Sequence, residues 1–174
     1  MSLKVARHLI EDDGAYPNNE RLPLLVYSGG FSSSDCNPEN IEHVLENHYW
    51  SSSWRNSIYD YHHYHSTAHE VLVVYSGSAE VQFGGEAGTV LEISRGDAVV
   101  IPAGVAHKKI QAGDDFRVVG AYPLGQSWDM NYGKQGERPQ ADKNIAAVPS
   151  PEADPIHGNE GPLIEIWQVT REED

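Results

Sequence analysis

Residues 54–122 contain seven short runs of strand-forming residues, with turn signals between them and no helical pattern. The runs cover residues 57–65, 71–75, 79–83, 90–93, 98–101, 107–111 and 117–122. Turn residues such as Ser76-Gly77-Ser78 and Pro102-Ala103-Gly104 separate neighbouring runs. Parallel strands would need long crossover connections, so this pattern predicts antiparallel pairing in a sandwich or barrel.

The segments on either side of these runs predict one helix and two more strands. Asn37 can cap a helix that begins at Pro38 and ends near His48. Apolar runs predict strands at 22–27 and at 163–167. Residues 125–162 are rich in Gly, Pro, Asn and Asp, which favours an irregular path over the surface.

The length of 174 residues is typical of a single domain. We therefore predict one all-β domain over residues 1–174, a small antiparallel barrel with one helix before it. Its parts are an N-terminal strand and helix (1–53), a barrel core (about 54–123) and an irregular C-terminal wrap (124–174).

The charge and the cysteine content exclude several classes of protein. A formal net charge of −14 disfavours nucleic acids and anionic membranes as partners. No apolar run approaches the roughly 18 residues of a membrane span. Because Cys36 is the only cysteine and acidic residues interrupt the N-terminal region before any apolar segment, we predict a cytoplasmic protein without a signal peptide.

Five of the nine histidines lie between His62 and His107. On a strand, His63 and His65 would share one face, about 7 Å apart along the chain. Glu70 begins the next run, and His107 follows a rigid turn that contains Pro and Gly. Three imidazoles and one carboxylate suit a divalent first-row metal, with positions left open for water or substrate.

Two motifs carry a family resemblance. His63-x-His65-x4-Glu70-x6-Gly77 resembles the first motif of the cupin superfamily, and Gly96-x5-Pro102-x-Gly104-x2-His107 resembles the second. Two positions depart from the family pattern: Ser57 replaces a glycine and Gln111 replaces an asparagine. Neither position binds metal in the family, so the resemblance to its metal site stands.

Longer blocks are similar to the bacterial YjlB-type cupins, which are single-domain proteins. These blocks include 54–56, 62–72, 102–108, 119–123 and 144–149. The resemblance implies a cupin (jelly-roll) barrel that binds one divalent transition metal (Mn, Fe, Ni, Co, Cu or Zn, not distinguished). Its ligands would be His63, His65, Glu70 and His107. It implies no particular reaction.

One ligand position has an alternative. A bulge near the bend would turn His69 inward instead of Glu70, and the site would then contain only histidines.

Other side chains are candidates for contact with a substrate. On a regular strand Tyr59 and Tyr61 would lie on the same face as His63. We consider them candidate catalytic residues or, alternatively, side chains that only pack the interior of the barrel. Arg55 is a candidate anion ligand, or a partner for a surface carboxylate. Lys109 is a candidate proton donor, and Gln111 a candidate substrate contact, if their strand stays regular.

We expect the remaining aromatic and acidic residues near the barrel to be structural. Trp54, Trp128 and Trp167 are expected to pack the flanking segments onto the barrel. Asp129 is expected to be surface charge.

These residues predict a metal-dependent small-molecule enzyme of the oxidoreductase or dioxygenase type, with an unknown substrate. The alternatives are a metal-dependent isomerase and a non-catalytic protein that binds a small ligand. We also predict a homodimer, because small cupins commonly pair.

Overall fold

The computed structural model describes residues 4–172 and contains nine strands and three helices in that range. The strands are β1 (Lys4–Ile10), β2 (Asn19–Ser28), β3 (Trp50–Asn56), β4 (Glu70–Ser76), β5 (Ser78–Phe83), β6 (Thr89–Ser94), β7 (Ala98–Ile101), β8 (His107–Ala112) and β9 (Arg117–Pro123). The helices are α1 (Pro38–Asn47), α2 (Gln140–Ala147) and α3 (Pro162–Glu172). No helix among the described residues is long and apolar enough to cross a membrane.

The strands pair in two antiparallel sheets. One sheet has six strands in the order β1-β2-β7-β4-β9-β3, and the other has three in the order β6-β5-β8. This arrangement confirms the predicted all-β cupin architecture. Within residues 4–172 the strands form a two-sheet sandwich and not a continuously hydrogen-bonded barrel.

The six-stranded sheet is buried on both faces at its centre. In β4, Leu72 and Val74 belong to the apolar cluster shared with the three-stranded sheet. The alternate residues Val71 and Val73 belong to a second cluster, which contains buried residues of α1 and α3. Burial on both sides explains why β4 is continuously apolar, and each such side chain contributes about 1.5–3 kcal/mol.

Helix α1 forms as its sequence predicts. The Asn37 side chain accepts a hydrogen bond from the Asn40 backbone N–H at 2.9 Å, and Pro38 is the first helical residue. Ile41 and Leu45 are fully buried against the outer face of the large sheet. The helix therefore covers part of the face of the six-stranded sheet that points away from the three-stranded sheet.

Two predicted strands are wrong. Residues 163–167 belong to α3, because Leu163, Ile166 and Trp167 have a helical spacing and all three are buried. The C-terminal wrap also contains α2. Residues 57–65 form no continuous strand, and β3 instead ends at Asn56, before this segment.

Arg138 joins the segment after β1 to α2 through two carboxylates. Its guanidinium lies 2.8 Å from Asp12 Oδ1 and 2.6 Å from Asp142 Oδ1. Hydrogen bonds from Arg138 hold the pKa of Asp12 and of Asp142 below the usual value. A depressed pKa in the folded state stabilises the protein above the unfolded pKa, near 4, and this stabilisation is lost as the pH falls through the folded pKa.

We expect Arg138→Gln to lower the free energy of unfolding by about 1 kcal/mol at pH 7, since the three side chains are about one-third exposed. The loss should shrink below about pH 4 as both carboxylates become protonated. Urea unfolding at pH 7 and pH 3 measures the effect. Lys143→Gln, at an exposed position of the same helix, is the control. An equal loss at both pH values would contradict the prediction.

Candidate metal centre

Three buried imidazoles meet at one end of the sandwich. One ring nitrogen each from His63, His65 and His107 lies within 4.8 Å of the others. His63 and His65 come from the segment between β3 and β4, and His107 is the first residue of β8. His63 and His107 exchange backbone hydrogen bonds of 3.2 and 2.9 Å, which hold the segment against the strand.

The segment before His63 carries two extra residues relative to a regular ladder. From the His63–His107 pair, regular antiparallel spacing would place Tyr61 opposite Lys109. Instead the Lys109 N–H donates to the carbonyl of Tyr59 at 2.9 Å. This bulge leaves the Tyr61 carbonyl 3.0 Å from Nδ1 of His63.

Each of the three imidazoles has a backbone carbonyl beside its Nδ1 atom. The distances are 3.0 Å from His63 to Tyr61, 2.6 Å from His65 to Asp129 and 3.1 Å from His107 to Val105. A carbonyl only accepts, so each Nδ1 is the protonated nitrogen and Nε2 keeps its lone pair. This is the tautomer that a metal ligand needs.

Glu70, and not His69, joins the imidazoles. Glu70 Oε1 lies 3.4 Å from Nε2 of His65 and 3.4 Å from Nε2 of His107. Alternation along β4 places Glu70 on the inner face with Leu72, so His69 takes the outer side. There His69 accepts a hydrogen bond from the Ala103 N–H at 2.9 Å and packs against Trp167.

Burial and the neighbouring charges shift the pKa values of His63, His65 and Glu70. Burial, together with the nearby His107, lowers the pKa of His63 to about 3, so this imidazole is neutral. Burial alone would raise the pKa of Glu70, but His65 and His107 reverse this and lower it. Burial alone would lower the pKa of His65, but Glu70 reverses this and raises it. A carboxylate and imidazoles that release a proton on binding suit a divalent transition metal.

A cavity of about 460 Å³ opens onto the three imidazoles and Glu70. This volume is in the range of small-molecule sites. Its walls include apolar side chains from the six-stranded sheet, from the segment between β3 and β4 and from the loop after β9, namely Trp54, Ile58, Leu72, Tyr122, Trp128 and Met130. The metal position is therefore accessible to a small molecule.

The sequence of the chain matches a known family. The family described as a cupin domain matches residues 57–119. The YjlB protein of Bacillus subtilis (strain 168) is 44% identical over 167 residues, which cover 96% of this chain and 99% of that protein. The chain belongs to the YjlB-type cupins.

Two solved structures are similar to this cupin at lower identity. One is acireductone dioxygenase from Bacillus anthracis with a cadmium ion in its active centre, 16% identical, covering 63% of this chain and 83% of that chain with a TM-score of 0.46. The other is RmlC from Streptococcus suis in complex with dTDP-D-xylose, 12% identical, covering 95% and 94% with a TM-score of 0.40.

Three of the predicted substrate-contact residues lie at or near the cavity of this cupin. Tyr59 lines it, and the ring of Tyr61 stacks on Tyr59 with centroids 4.9 Å apart. Both rings contact the edge of His63. Arg55 also lines the cavity, but its guanidinium makes hydrogen bonds of 3.1 and 2.7 Å with the Glu42 carboxylate.

The other two predicted contacts lie outside the set of residues that line the cavity. Lys109 Nζ donates to Ser57 Oγ at 3.0 Å. Gln111 is exposed and lines a separate surface groove. The regular strand assumed for it is interrupted, because Ile110 is an extra residue in the β5–β8 pairing and reverses the facing of Gln111.

Sequence patterns missed several residues that shape the site. Tyr122 lines the cavity and accepts a hydrogen bond from Trp54 Nε1 at 2.9 Å. The Trp54 indole needs Gly120 beneath it, since a Cβ there would overlap the ring. Alternation along β9 places Tyr122 on the inner face with Val118, which is a usable signal once the strand is known.

The expectation that Asp129 is a surface charge is wrong. Its carboxylate accepts hydrogen bonds from the Ser66 backbone N–H at 2.6 Å, from Ser66 Oγ, and from Asn131 Nδ2 at 3.0 Å. Its own carbonyl is the partner of His65 Nδ1. Asp129 therefore holds the orientation of His65.

We expect Asp129→Ala to weaken metal affinity about tenfold, because the carboxylate bonds to Ser66 and Asn131 then no longer hold in place the main-chain carbonyl that orients His65. Metal titration followed by elemental analysis measures the effect, and circular dichroism checks that the variant is folded. Asp60→Ala, at an exposed position near the site, should bind metal like the unmodified protein. Unchanged affinity in Asp129→Ala would show that the carboxylate does not support His65.

Proposed function

We propose that this cupin is a metal-dependent small-molecule enzyme of the oxidoreductase type, specifically a dioxygenase. Its metal would be one divalent transition ion held by His63, His65, Glu70 and His107. The observation that carries the proposal is the set of Nδ1–carbonyl contacts, which leaves Nε2 of each imidazole as the nitrogen available to a metal, with the Glu70 carboxylate beside two of them. The neighbouring cavity supplies room for a substrate.

A redox-active ion in this position would supply the means to activate O2 next to a bound organic molecule. Four protein ligands leave two positions of an octahedral ion for exogenous molecules. His63, His65 and His107 are buried, so the protein excludes bulk water from the ligand side of the site.

Tyr122 is the side chain best placed to orient a substrate. It is almost fully buried and lines the cavity, and burial, followed by the nearby Glu70 carboxylate, raises its pKa, so the phenol keeps its proton. Trp54 donates to the phenol oxygen, so the phenol O–H is directed by a fixed partner. A hydroxyl held in this way can donate a hydrogen bond to a bound ligand.

Anaerobic reconstitution tests the proposal. The purified protein is loaded in turn with Mn, Fe, Co, Ni, Cu and Zn, and each form is mixed with diols, hydroxy-ketones and phenols in air. We expect oxygen uptake with a redox-active metal, and incorporation of both atoms of ¹⁸O2 into the product. Turnover without oxygen uptake would favour the isomerase, whereas ligand binding without turnover by any form would favour a non-catalytic binding protein.

The small-molecule partner of the protein follows from the same proposal. The homodimer and the cytoplasmic location stay predictions from the sequence. Sedimentation velocity of the purified protein measures the first of these directly.

A further inference from the structure

We propose that the cavity selects a planar aromatic molecule whose oxygen donors reach the metal position and whose ring carries no further acidic group. This inference rests on the proposed function and names the substrate class of that site. Two observations support it. The aromatic side chains of Tyr59 and Trp128 form exposed walls beside the metal ligands, and the guanidinium of Arg55 is already paired with carboxylates.

Tyr59 forms the first wall. Its side chain lines the cavity, yet 53% of the residue is exposed. The ring stacks on Tyr61, with centroids 4.9 Å apart and planes within 17°. The Tyr59 ring also meets His63 edge-on at 5.3 Å. Stacking on Tyr61 therefore holds the Tyr59 ring as a flat surface beside His63.

Trp128 forms the second wall. It lies in the loop after β9, lines the cavity and is 50% exposed. Its indole is stacked with Tyr122, with planes within 23° and centroids 6.3 Å apart, and meets His65 edge-on at 5.5 Å. Tyr59 and Trp128 are thus two large rings, each beside a different histidine of the metal site.

Each of these rings has exposed apolar surface that a ligand in the cavity can cover. Tyrosine and tryptophan each bury about 150–250 Å² when they are covered, and stacked aromatic pairs gain further energy. A saturated molecule can cover the same area, but it cannot stack. The paired walls therefore favour a flat conjugated ring over an aliphatic one.

The charges around Arg55, away from the metal position, disfavour an acidic group on the ring of the substrate. Among its lining residues Arg55 is the one Lys or Arg side chain. Its Nε and Nη2 bind the two oxygens of Glu42, and Nη1 lies 3.6 Å from Glu39. A carboxylate on the ring would have to compete with Glu39 and Glu42 for Arg55, so a ring without an acidic group fits better.

Matched metal chelators test the inference. Benzohydroxamic acid and cyclohexanecarbohydroxamic acid carry the same metal-binding group and a six-membered ring, but only the first ring is planar and conjugated. Both are titrated into the cobalt(II)-loaded protein, and the visible spectrum of cobalt reports chelation. We expect the aromatic compound to bind about tenfold more tightly, the value of stacking on two rings.

Two variants assign the selectivity to the walls. The ratio of the two affinities should fall below about threefold in the double variant Tyr59→Leu/Trp128→Leu, whereas cobalt content stays unchanged. Tyr49→Leu removes an exposed aromatic that does not line this cavity, and should keep the full ratio. A ratio near one in the unmodified protein, or a ratio that the double variant leaves unchanged, would overturn the inference.

A third compound tests the charge argument. 4-Carboxybenzohydroxamic acid should bind more weakly than benzohydroxamic acid, and Glu42→Gln should reduce that difference by releasing Arg55. Tighter binding of the carboxylate by the unmodified protein would overturn the exclusion of an acidic group from the ring. Cobalt binding without ring selectivity would defeat this inference alone, whereas failure to bind any divalent metal would defeat the proposed function and the inference with it.

Discussion

Replacing His107 with alanine is expected to abolish stoichiometric binding of a divalent metal. The change removes one of three imidazoles that share the centre and takes away a neighbour of Glu70 Oε1 at 3.4 Å. Altering an outer partner of a ligand typically costs 10–100-fold in affinity, so loss of the ligand itself should cost on the order of 100-fold or more. Elemental analysis after dialysis, and the shift of melting temperature on addition of Zn or Co, measure the loss.

His62 offers a matched control for this experiment. It lies next to His63 in the sequence, but its ring is near Tyr16, with centroids 5.7 Å apart, and is not part of the histidine cluster. His62→Gln should therefore retain metal at the level of the unmodified protein. If His107→Ala still binds one metal per chain with undiminished affinity, the proposed centre is wrong.

Replacing Asp154 with alanine is expected to destabilise the protein by about 3–5 kcal/mol, because it leaves several buried donors without an acceptor. The Asp154 carboxylate is fully buried. Its Oδ2 accepts from the Tyr27 hydroxyl at 2.6 Å and from the Leu163 N–H at 3.0 Å. Its Oδ1 accepts from the N–H groups of Ile156 and His157 at 2.8 and 3.0 Å.

The hydrogen bond from Tyr27 of β2 fastens the C-terminal wrap to the large sheet, and the other three hold the wrap itself together. Leu163 lies in the first turn of α3, whose Trp167 packs against His69. Urea unfolding compares Asp154→Ala with Asp154→Asn, which keeps one acceptor and should lose about half as much. Asp114→Ala, at an exposed turn, should change the free energy of unfolding by less than about 0.5 kcal/mol. A loss below about 1 kcal/mol in Asp154→Ala would contradict this role.

Most of the sheet was predictable from local patterns. The runs from 71 to 122 correspond to β4–β9, because turn residues bound each of them and their apolar side chains alternate or run continuously. The helix at Pro38 was predictable from its cap. The strand expected at 163–167 was wrong because a short apolar run fits a strand or a buried helix equally well, and only packing against the sheet decides.

The candidate ligands were predictable in part. The spacing of His63, His65, Glu70 and His107 marks them without any structure. The choice of Glu70 over His69 required the register of β4, in which the even-numbered residues face inward. The side chain of Gln111 faces outward because of a bulge at Ile110, and no sequence pattern in β8 predicts that bulge.

The sequence by itself determined the fold class, the family and the residue types of the donor set, since strand periodicity and ligand spacing are local properties of the chain. Only the tertiary structure decided which carbonyl holds each imidazole, and which rings form the cavity walls. His65 and Asp129 are 64 residues apart in the chain, and a contact of that separation depends on the packing of both sheets and the loop between them. Such a partner leaves no periodic trace in the sequence, because its position is set by where the chain returns in space and not by its neighbours.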